Sequence, residues 1–416
     1  MFSIKYYQVF NCINVKLTEV IQVEYSLELS KLCHLAKNLY NLANWYIRQD
    51  FFNLNNLLTY YDLDFIIKTK QAYQALPSQT SQQILKYVTR NWKSYFKGLK
   101  EFRFDFSKFK KRPNIPRYKK KNGESVAIFT NQQCRIKQGY LHFPKRVNIN
   151  PLKTRITERL KEVRVIPLGV KYKIELVYEK EETDLGLEKA HLLSIDLGLN
   201  NLITAVNNSG CRPFIIKGGM VKSINQYYNK QLAYYRSIEN KKGNIKDTKR
   251  IQRLHLIRNN KLNTLFHRIS RRVIEFCISN NIGTIVIGYN HGWKQKINMG
   301  KRNNQKFVQI PFLKLVKQIA YKAQLQGIHA LTVNENHTSK CSFLDNEPIK
   351  KHANYAGKRI SRGLFKTSKG VLLNADINGA YNIMKKAFPN AISADGIEAF
   401  GLMPQIIQQN IVDFIV

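Results

Sequence analysis

The first half of the chain changes its hydrophobic period along its length. Residues 15–25 alternate apolar and polar side chains, which predicts a half-buried strand. From Leu29 onward the apolar side chains recur every three or four residues, as on one face of an amphipathic helix, and this spacing returns after Pro77. Strand-like alternation resumes at residues 170–179. The patterns predict a β-rich domain over 1–25 and 101–185, interrupted by a helical insert over 26–100.

The second half of the chain follows a different order. Three short apolar segments separated by turn residues predict successive strands, and a long basic helical hairpin follows them. A buried strand, a helix, another strand and a last helix complete the series, which is the order of a ribonuclease-H-like α/β fold. The predicted segments are 192–196, 202–206, 214–217, 284–287 and 329–333 for the strands, 218–275 for the hairpin, 186–390 for the domain and 391–416 for a C-terminal tail that docks on it.

Two aspartates lie within the apolar sequence of this domain. Asp196 ends its first strand, and Asp376 opens its last helix. An unpaired carboxylate in apolar surroundings is unfavourable, and sharing divalent metal is the simplest way to keep both. Because carboxylate oxygens are hard ligands, magnesium is favoured over zinc.

The charge balance indicates a polyanionic partner. The 416 residues include 68 lysines and arginines against 28 acids, which gives a formal net charge of +40. Such an excess is typical of proteins that bind nucleic-acid phosphates. A ribosomal protein is the plainer alternative, but it suits a shorter and less apolar chain. No apolar run spans a membrane and the first residues do not form a signal peptide, so no membrane partner and a cytoplasmic location are expected.

The six cysteines are scattered along the chain. No two of them form a C-x-x-C pair, so neither a zinc ribbon nor bound zinc is predicted. Single cysteines without a secretion signal are typical of a reducing cytosol.

Basic residues from position 102 to 121 alternate with the aromatic residues Phe104, Phe106, Phe109 and Tyr118. This composition is typical of a loop that contacts RNA or a single strand. A solvated charged loop is the alternative, but such a loop has no use for aromatic rings. The residues predicted to bind nucleic acid here are Lys110, Lys111, Arg112, Arg117, Lys119, Lys120 and Lys121.

The helical hairpin is a second basic region. Between Lys217 and Arg272 its acids are Glu239 and Asp247 alone, whereas a solvated helix face normally mixes both signs of charge. The hairpin is therefore predicted to contact phosphates. The residues predicted to do so are Lys249, Arg250, Arg253, Arg271 and Arg272.

Several short motifs resemble one family in their order and spacing. The segment Asp196-Leu197-Gly198-Leu199-Asn200-Asn201-Leu202 resembles a first RuvC motif, and Asp376-Ile377-Asn378-Gly379-Ala380-Tyr381-Asn382-Ile383 resembles a third. Further motifs of the same family are Leu76-Pro77-Ser78-Gln79, Asn91-Trp92-Lys93-Ser94, Phe129-Thr130-Asn131-Gln132-Gln133-Cys134 and Thr338-Ser339-Lys340-Cys341-Ser342. Together they make the chain similar to the transposon-encoded TnpB (OrfB) proteins, which are relatives of the type V CRISPR effector nucleases.

The resemblance implies an RNA-guided DNA endonuclease of a transposable element. Guide RNA and target DNA are its implied partners, and a RuvC domain would cut with magnesium. The helical insert and the β-rich domain would hold the guide duplex and recognise a short motif beside the target.

The chain departs from this family at the second RuvC motif. The strand that usually ends in a glutamate ends here at Gly288, which has no side chain for a metal. In a ribonuclease-H-like sheet the first strand neighbours the fourth, and the fourth neighbours the fifth. Neighbouring strands lie about 4.8 Å apart, so the end of the fifth strand is about 10 Å from the first. Glu335 follows that fifth strand and could reach over Gly288, so we expect it to join Asp196 and Asp376 as a catalytic metal ligand. The alternative is a loop carboxylate that balances His337 and Lys340.

A second departure is the absence of the zinc ribbon. Residues 338–373 form a basic segment in its place, in which Cys341 alone cannot hold zinc. Arg359 and Arg362 of this segment are predicted to bind nucleic acid. Two magnesium ions, about 3.5–4 Å apart, are predicted at the acids.

The sequence is also compatible with two other functions. Loss of the usual glutamate favours a nuclease-dead RNA-guided DNA-binding protein, acting as a repressor or a transposition accessory factor, whereas retention of both aspartates favours the nuclease. A nonspecific RNA chaperone would bind without dependence on a motif beside the target.

Overall fold

The computed structural model describes residues 14–243, 247–290, 292, 298, 300–361, 363–393, 397 and 399–407. Its helices are α1 (Leu27–Leu54), α2 (Tyr60–Ile67), α3 (Gln71–Gln74), α4 (Ser78–Phe104), α5 (Gly219–Lys241), α6 (Lys249–Ser279), α7 (Lys301–Val308), α8 (Phe312–Gln324) and α9 (Ala375–Ala387). Its strands are β1 (Asn14–Glu24), β2 (Ala127–Thr130), β3 (Arg135–Lys137), β4 (Tyr140–His142), β5 (Leu152–Lys153), β6 (Leu160–Pro167), β7 (Lys171–Glu181), β8 (Leu192–Asp196), β9 (Asn201–Asn207), β10 (Phe214–Lys217), β11 (Thr284–Gly288), β12 (His329–Val333), β13 (Lys358–Ser361), β14 (Leu364–Lys366), β15 (Leu372–Asn374) and β16 (Gln405–Ile407).

The chain divides into two compact units. The amino-terminal unit comprises residues 16–180 and 248–253, and the other unit comprises the described residues among 14–15, 181–247 and 254–407.

The amino-terminal unit packs α1 and α4 against a four-stranded sheet. The sheet has the strand order β1-β7-β6-β2. Trp92 of α4 is fully buried, and its indole nitrogen donates a hydrogen bond of 2.9 Å to Oδ1 of Asn44 on α1, so the two helices have a fixed register. Ser26 caps α1 by accepting from the backbone nitrogen of Leu29 at 3.2 Å. The strand predicted at residues 15–25 and the helices predicted from Leu29 and after Pro77 are confirmed.

The basic region after α4 lies along α1 as an extended strap, defined here as residues 109–121. Asn41 of α1 donates to the carbonyl of Lys119 at 2.9 Å and accepts from its backbone nitrogen at 2.8 Å. Arg48 donates to the carbonyl of Pro116 at 3.0 Å. Because α1 satisfies these backbone groups, the strap keeps a fixed course and most of its basic side chains are exposed.

The second unit is built on a six-stranded sheet of order β12-β11-β8-β9-β10-β16. Strands β8, β9 and β10 pair in antiparallel fashion, whereas β11 pairs in parallel with both β8 and β12. The five strands predicted from the sequence, and the prediction that the first lies beside the fourth and the fourth beside the fifth, are confirmed. Strand β16, which was not predicted, pairs in parallel with β10 at the sheet edge.

Helix α9 packs on this sheet through its small residues. Ser194 in the middle of β8 donates a buried hydrogen bond of 2.8 Å to the carbonyl of Ala380. A side chain at Gly379 would meet the Asp196 carboxylate, since its β-carbon would lie 3.3 Å from Oδ2. This close approach brings the first turn of α9 to the carboxyl end of β8.

The segment before α9 folds into a small sheet of strands β13, β14 and β15, in that order. A buried carboxylate organises the loop that leads into it. Oε2 of Glu347 accepts from the backbone nitrogen of Ser342 at 2.7 Å, and Oε1 accepts from that of Ala356 at 3.0 Å. One side chain therefore joins two points of the loop that are far apart in sequence.

In the part of the chain that the structure describes, every helix is too short or too polar to cross a lipid bilayer.

Candidate active site

Asp196 lies at the carboxyl end of β8, at the centre of the six-stranded sheet. Burial raises the pKa of its carboxyl group, and the neighbouring Asp376 carboxylate raises it further. The guanidinium of Arg359 acts in the opposite direction. Strand β8 thus places Asp196 where nearby positive charge does not fully stabilise the ionised carboxylate.

Asp376 lies in the first turn of α9, which Asn374 caps by accepting from the backbone nitrogens of Asp376 and Ile377. Both of its carboxylate oxygens have partners. Oδ2 accepts from the side-chain amide of Asn201 at 2.7 Å, and Oδ1 accepts from Arg359 at 2.9 Å. This aspartate is therefore compensated in the structure, unlike Asp196.

Glu335 follows β12 and is held by an amide side chain on the loop after β11. Oδ1 of Asn290 accepts from the backbone nitrogen of Glu335 at 3.0 Å, and its amide nitrogen lies 3.5 Å from Oε1. The other carboxylate oxygen, Oε2, is buried and has no hydrogen-bond partner among the described residues. Burial and then the charge of Asp196 raise the pKa of Glu335, while Lys386 opposes the rise.

Gly288 provides the space that Glu335 occupies. A β-carbon at this position would lie 2.8 Å from Oε2 of Glu335 and 2.5 Å from Cδ1 of Ile383. The expectation that a missing side chain at Gly288 makes room for Glu335 is therefore confirmed. The expected role of Glu335 as a metal ligand stays a prediction.

The three acids interact in pairs rather than as a closed cluster. Asp196 interacts with Asp376 and also with Glu335. Within the described ranges, no three acid, histidine or cysteine side chains are gathered closely enough to hold a metal ion. The donor chemistry suits a hard divalent cation, because carboxylate oxygens, including an orphaned one at Glu335, lie beside an undercompensated Asp196, but the three acids do not form a closed ligand set.

Comparison with known proteins shows which families this chain is similar to. Residues 175–294 match the family OrfB_IS605, described as a probable transposase, and residues 312–383 match the Cas12f1-like TNB domain. The chain is 29% identical over 237 residues to the TnpB-like protein ORF457 of Acidianus two-tailed virus, an alignment that covers 54% of this chain and 48% of that protein. It is related to the TnpB family.

A second curated relative is the CRISPR-associated endodeoxyribonuclease Cas12f2 of a Micrarchaeota archaeon, strain CG1_02_47_40. It is 28% identical over 235 residues, which is 53% of this chain and 41% of the relative. The chain thus matches about half the length, or less, of these relatives. A solved Cas12f1–sgRNA–target DNA complex, determined by cryo-EM, has a TM-score of 0.53 at 16% identity and covers 85% of this chain and 81% of that one. At this identity the likeness shows a shared mixed α/β fold.

The TNB match includes the segment that stands where TnpB proteins were expected to have a zinc ribbon. Arg359 of this segment was predicted to bind nucleic acid, yet its side chain pairs with Asp376 in the structure. Arg362 lies outside the described residues. Asn378, two residues after Asp376, accepts from the backbone of Phe343 at 2.9 Å and donates to the carbonyl of Cys341 at 2.8 Å.

Most of the other predicted nucleic-acid-binding residues are exposed on the two basic regions of this TnpB relative. The exposed side chains are Lys110, Lys111, Arg112, Arg117, Lys120, Lys121, Lys249, Arg250, Arg253, Arg271 and Arg272. Lys119 differs, since its ammonium lies 4.9 Å from the centre of the Tyr40 ring. Arg271 forms an ion pair of 2.8 Å with Glu275. Contact of these residues with nucleic acid stays a prediction.

Sequence analysis missed the amide residues that hold the acids. Asn201 donates to Asp376 and accepts from Lys217 at 3.0 Å. Asn290 holds Glu335 at two points. No local pattern identifies either role, since each depends on a residue from a distant element.

Proposed function

We propose that this chain is an RNA-guided DNA endonuclease encoded by a transposable element, and that it cuts by metal-dependent phosphodiester hydrolysis in a RuvC-like domain. The relationship to a TnpB-like protein and to two relatives named endodeoxyribonucleases supports this class of activity. Guide RNA and target DNA are the proposed partners, and the formal net charge of +40 suits both.

One observation carries the nuclease proposal. Glu335 retains a buried, unpartnered oxygen beside Asp196, in space that Gly288 leaves open. Burying a carboxylate in this way is unfavourable unless a cation or a hydrogen-bond donor compensates it. A purely structural loop carboxylate would gain more from facing solvent, so the arrangement favours a cation-binding role for Glu335.

In the proposed mechanism, each residue of the site has a separate role. Asp196 and Glu335 would hold one side of a magnesium site and Asp376 the other, while Asn201 and Asn290 keep two of these acids in place. Bound magnesium would supply Lewis-acid chemistry, lowering the pKa of water and stabilising the leaving oxygen. Arg359, whose side chain is 48% exposed, neutralises Asp376 and keeps further N–H donors that could face a phosphate.

A cleavage assay tests the proposal. The full chain is co-expressed with the DNA that flanks its coding sequence, and the RNA that copurifies is sequenced and reprogrammed against a plasmid library. We expect Asp196→Ala, Glu335→Ala and Asp376→Ala each to lower magnesium-dependent cleavage at least a hundredfold and to retain RNA binding. Glu182→Ala, which removes an exposed carboxylate of the same unit, is the matched control and should cut like the parent.

The assay distinguishes failure of the Glu335 assignment from failure of the nuclease proposal. If Glu335→Ala cuts as well as the parent, Glu335 is not the third ligand. If the parent binds its RNA and target but does not cut under any magnesium concentration, the nuclease proposal is wrong.

The second candidate is an RNA-guided DNA-binding protein without nuclease activity. It is favoured by Gly288, which replaces the usual glutamate, and by the ion pair that occupies Asp376. The same assay distinguishes the candidates, because this protein would protect its target DNA without cutting it.

A further inference from the structure

Two phenylalanines are displayed to solvent at the end of α4. The side chains of Phe104 and Phe106 are 87% and 74% exposed, although burial of such a ring normally stabilises a protein by about 1.5–3 kcal/mol. They flank Asp105, which ends the helix. Rings this exposed and this close in sequence are unusual on a protein surface and indicate a ligand that covers them.

The turn that carries these rings is fixed by local hydrogen bonds. Oδ1 of Asp105 accepts from the backbone nitrogen of Ser107 at 3.0 Å and from its hydroxyl at 2.6 Å. The backbone nitrogen of Phe109 donates to the carbonyl of Phe106 at 3.1 Å, closing a short 3-10 turn. The backbone that carries the rings is therefore ordered before any ligand arrives, which lowers the entropy lost on binding.

The other aromatic residues of this region are already engaged. Phe109 packs edge-on against Phe102, with ring centroids 5.6 Å apart. The guanidinium of Arg48 lies 5.1 Å from the centre of the Tyr118 ring. The structure thus singles out Phe104 and Phe106 from the four aromatic residues that the sequence interleaves with basic ones.

The charged side chains near the two rings indicate which class of ligand could cover them. Exposed cations lie close to them in sequence, namely Arg103, Lys108, Lys110, Lys111 and Arg112. The acid between the rings, Asp105, forms an ion pair of 3.6 Å with Lys108. An apolar protein surface laid on the rings would have to desolvate these charges, whereas a nucleic acid would place bases on the rings and phosphates near the cations. A second exposed pair, Tyr61 and Phe65 on α2, is 79% and 74% exposed, but it lies next to two acids, Asp62 and Asp64, and the Lys68 ammonium already lies 5.1 Å from the centre of the Phe65 ring.

We propose that Phe104 and Phe106 form a stacking platform for unpaired bases of the RNA that this chain carries. Base stacking on aromatic rings needs an unpaired segment, and sequence-tolerant contacts of this kind are typical of RNA loops and single strands. RNA is favoured over displaced DNA because, in the proposed function, guide RNA stays bound to the protein and would keep the rings covered, whereas a target strand would be present only briefly. The inference rests on the RNA-binding part of the proposed function and not on cleavage.

Binding of labelled single-stranded RNA to the full chain tests the platform, with single-stranded DNA of the same sequence and an RNA duplex as competing probes. We expect Phe104→Ala with Phe106→Ala to weaken RNA binding roughly ten- to a hundredfold and to leave the slope of log affinity against log salt unchanged. Lys110→Ala with Lys111→Ala should instead reduce that slope by about 1–2. Tyr61→Ala with Phe65→Ala is the matched control and should bind like the parent.

The variant Phe104→Leu with Phe106→Leu retains apolar surface but has no aromatic ring at either position, so it should also bind RNA weakly. The melting temperature of each variant should stay at that of the parent, because the replaced side chains are exposed. Binding within twofold of the parent, or an equal loss in the Tyr61 and Phe65 control, would overturn the platform. An equal loss for DNA or for the RNA duplex would overturn its assignment to unpaired RNA. If the parent itself binds no RNA, the proposed function fails as well.

Discussion

Gly288 and Glu335 share one small space at the edge of the candidate active site, where a β-carbon at Gly288 would lie 2.8 Å from the orphaned Oε2 of Glu335. The two positions are therefore coupled, since the glutamate can occupy this space only while residue 288 has no side chain.

Replacing Gly288 with alanine should lower both stability and cleavage. The new methyl group would meet Ile383 at 2.5 Å as well as Glu335, and overpacking of this kind typically costs about 1–3 kcal/mol of unfolding free energy. Denaturant unfolding measures the loss, and the cleavage assay measures displacement of Glu335. Gly219→Ala is the control, because a β-carbon at Gly219 would meet no atom within 4 Å. Equal behaviour of the two variants would contradict the shared space.

The stability of the metal-free protein should fall as the pH rises, and Glu335 should be a main cause. Its pKa is raised from 4.5 to about 8, so its charged form is unfavourable in the folded state. The loss of stability therefore begins near pH 4.5, where the unfolded chain ionises, and is complete above pH 8. In a chelator at pH 8, Glu335→Gln should unfold at a higher denaturant concentration than the parent, by roughly 1–3 kcal/mol of unfolding free energy.

That gain should disappear at about pH 4, below the pKa of 4.5 in the unfolded chain, because the parent carboxyl group is then protonated in both the folded and the unfolded state. A gain of the same size at both pH values would show that packing, rather than charge, distinguishes glutamine from glutamate at this position.

Arg359 should compete with divalent cations for Asp376. Its guanidinium donates to Oδ1 of Asp376 at 2.9 Å, so removing it leaves the carboxylate less compensated. We expect Arg359→Ala to lower metal-free stability by about 0.5–1 kcal/mol, since the pair is partly exposed, and to increase the rise in melting temperature that magnesium produces. Lys358→Ala, on the adjacent exposed residue of β13, is the control. A magnesium response equal to that of the control would argue against competition.

Glu347 should act as the organiser of the loop that precedes the small sheet. The side chain is 6% exposed, and its two oxygens accept from the backbone nitrogens of Ser342 and Ala356. Loss of two charge-assisted hydrogen bonds should make Glu347→Ala less stable by about 2–4 kcal/mol. Calorimetry in the presence of a strong chelator tests whether zinc contributes too. A chelator that lowers the melting temperature of the parent as much as this substitution would contradict a metal-independent loop.

Much of the unit built on the six-stranded sheet could be predicted from the sequence, because strand and helix periods depend on residues close together in the chain. Alternating and continuous apolar runs identified strands β8 to β12, and the positions of Asp196 and Asp376 at element ends followed from the same runs. The predicted pairing of the first, fourth and fifth strands placed Glu335 near Gly288, and the structure confirms that placement.

Side-chain partners could not be predicted in the same way. Arg359 belonged to a basic segment and was assigned to nucleic acid, but β13 brings it to Asp376. Asn201 and Asn290 had no distinguishing pattern, because each acts on an acid from another element.

The sequence by itself determined the periods that form the strands and helices, the excess of positive charge and the two aspartates at element ends. Only the tertiary structure decided that Glu335 keeps an unpartnered oxygen, that Arg359 pairs with Asp376, and that Phe104 and Phe106 alone among four neighbouring aromatic residues face solvent so fully. The physical reason is that periodicity depends on residues a few positions apart, whereas burial and pairing depend on which distant elements pack together.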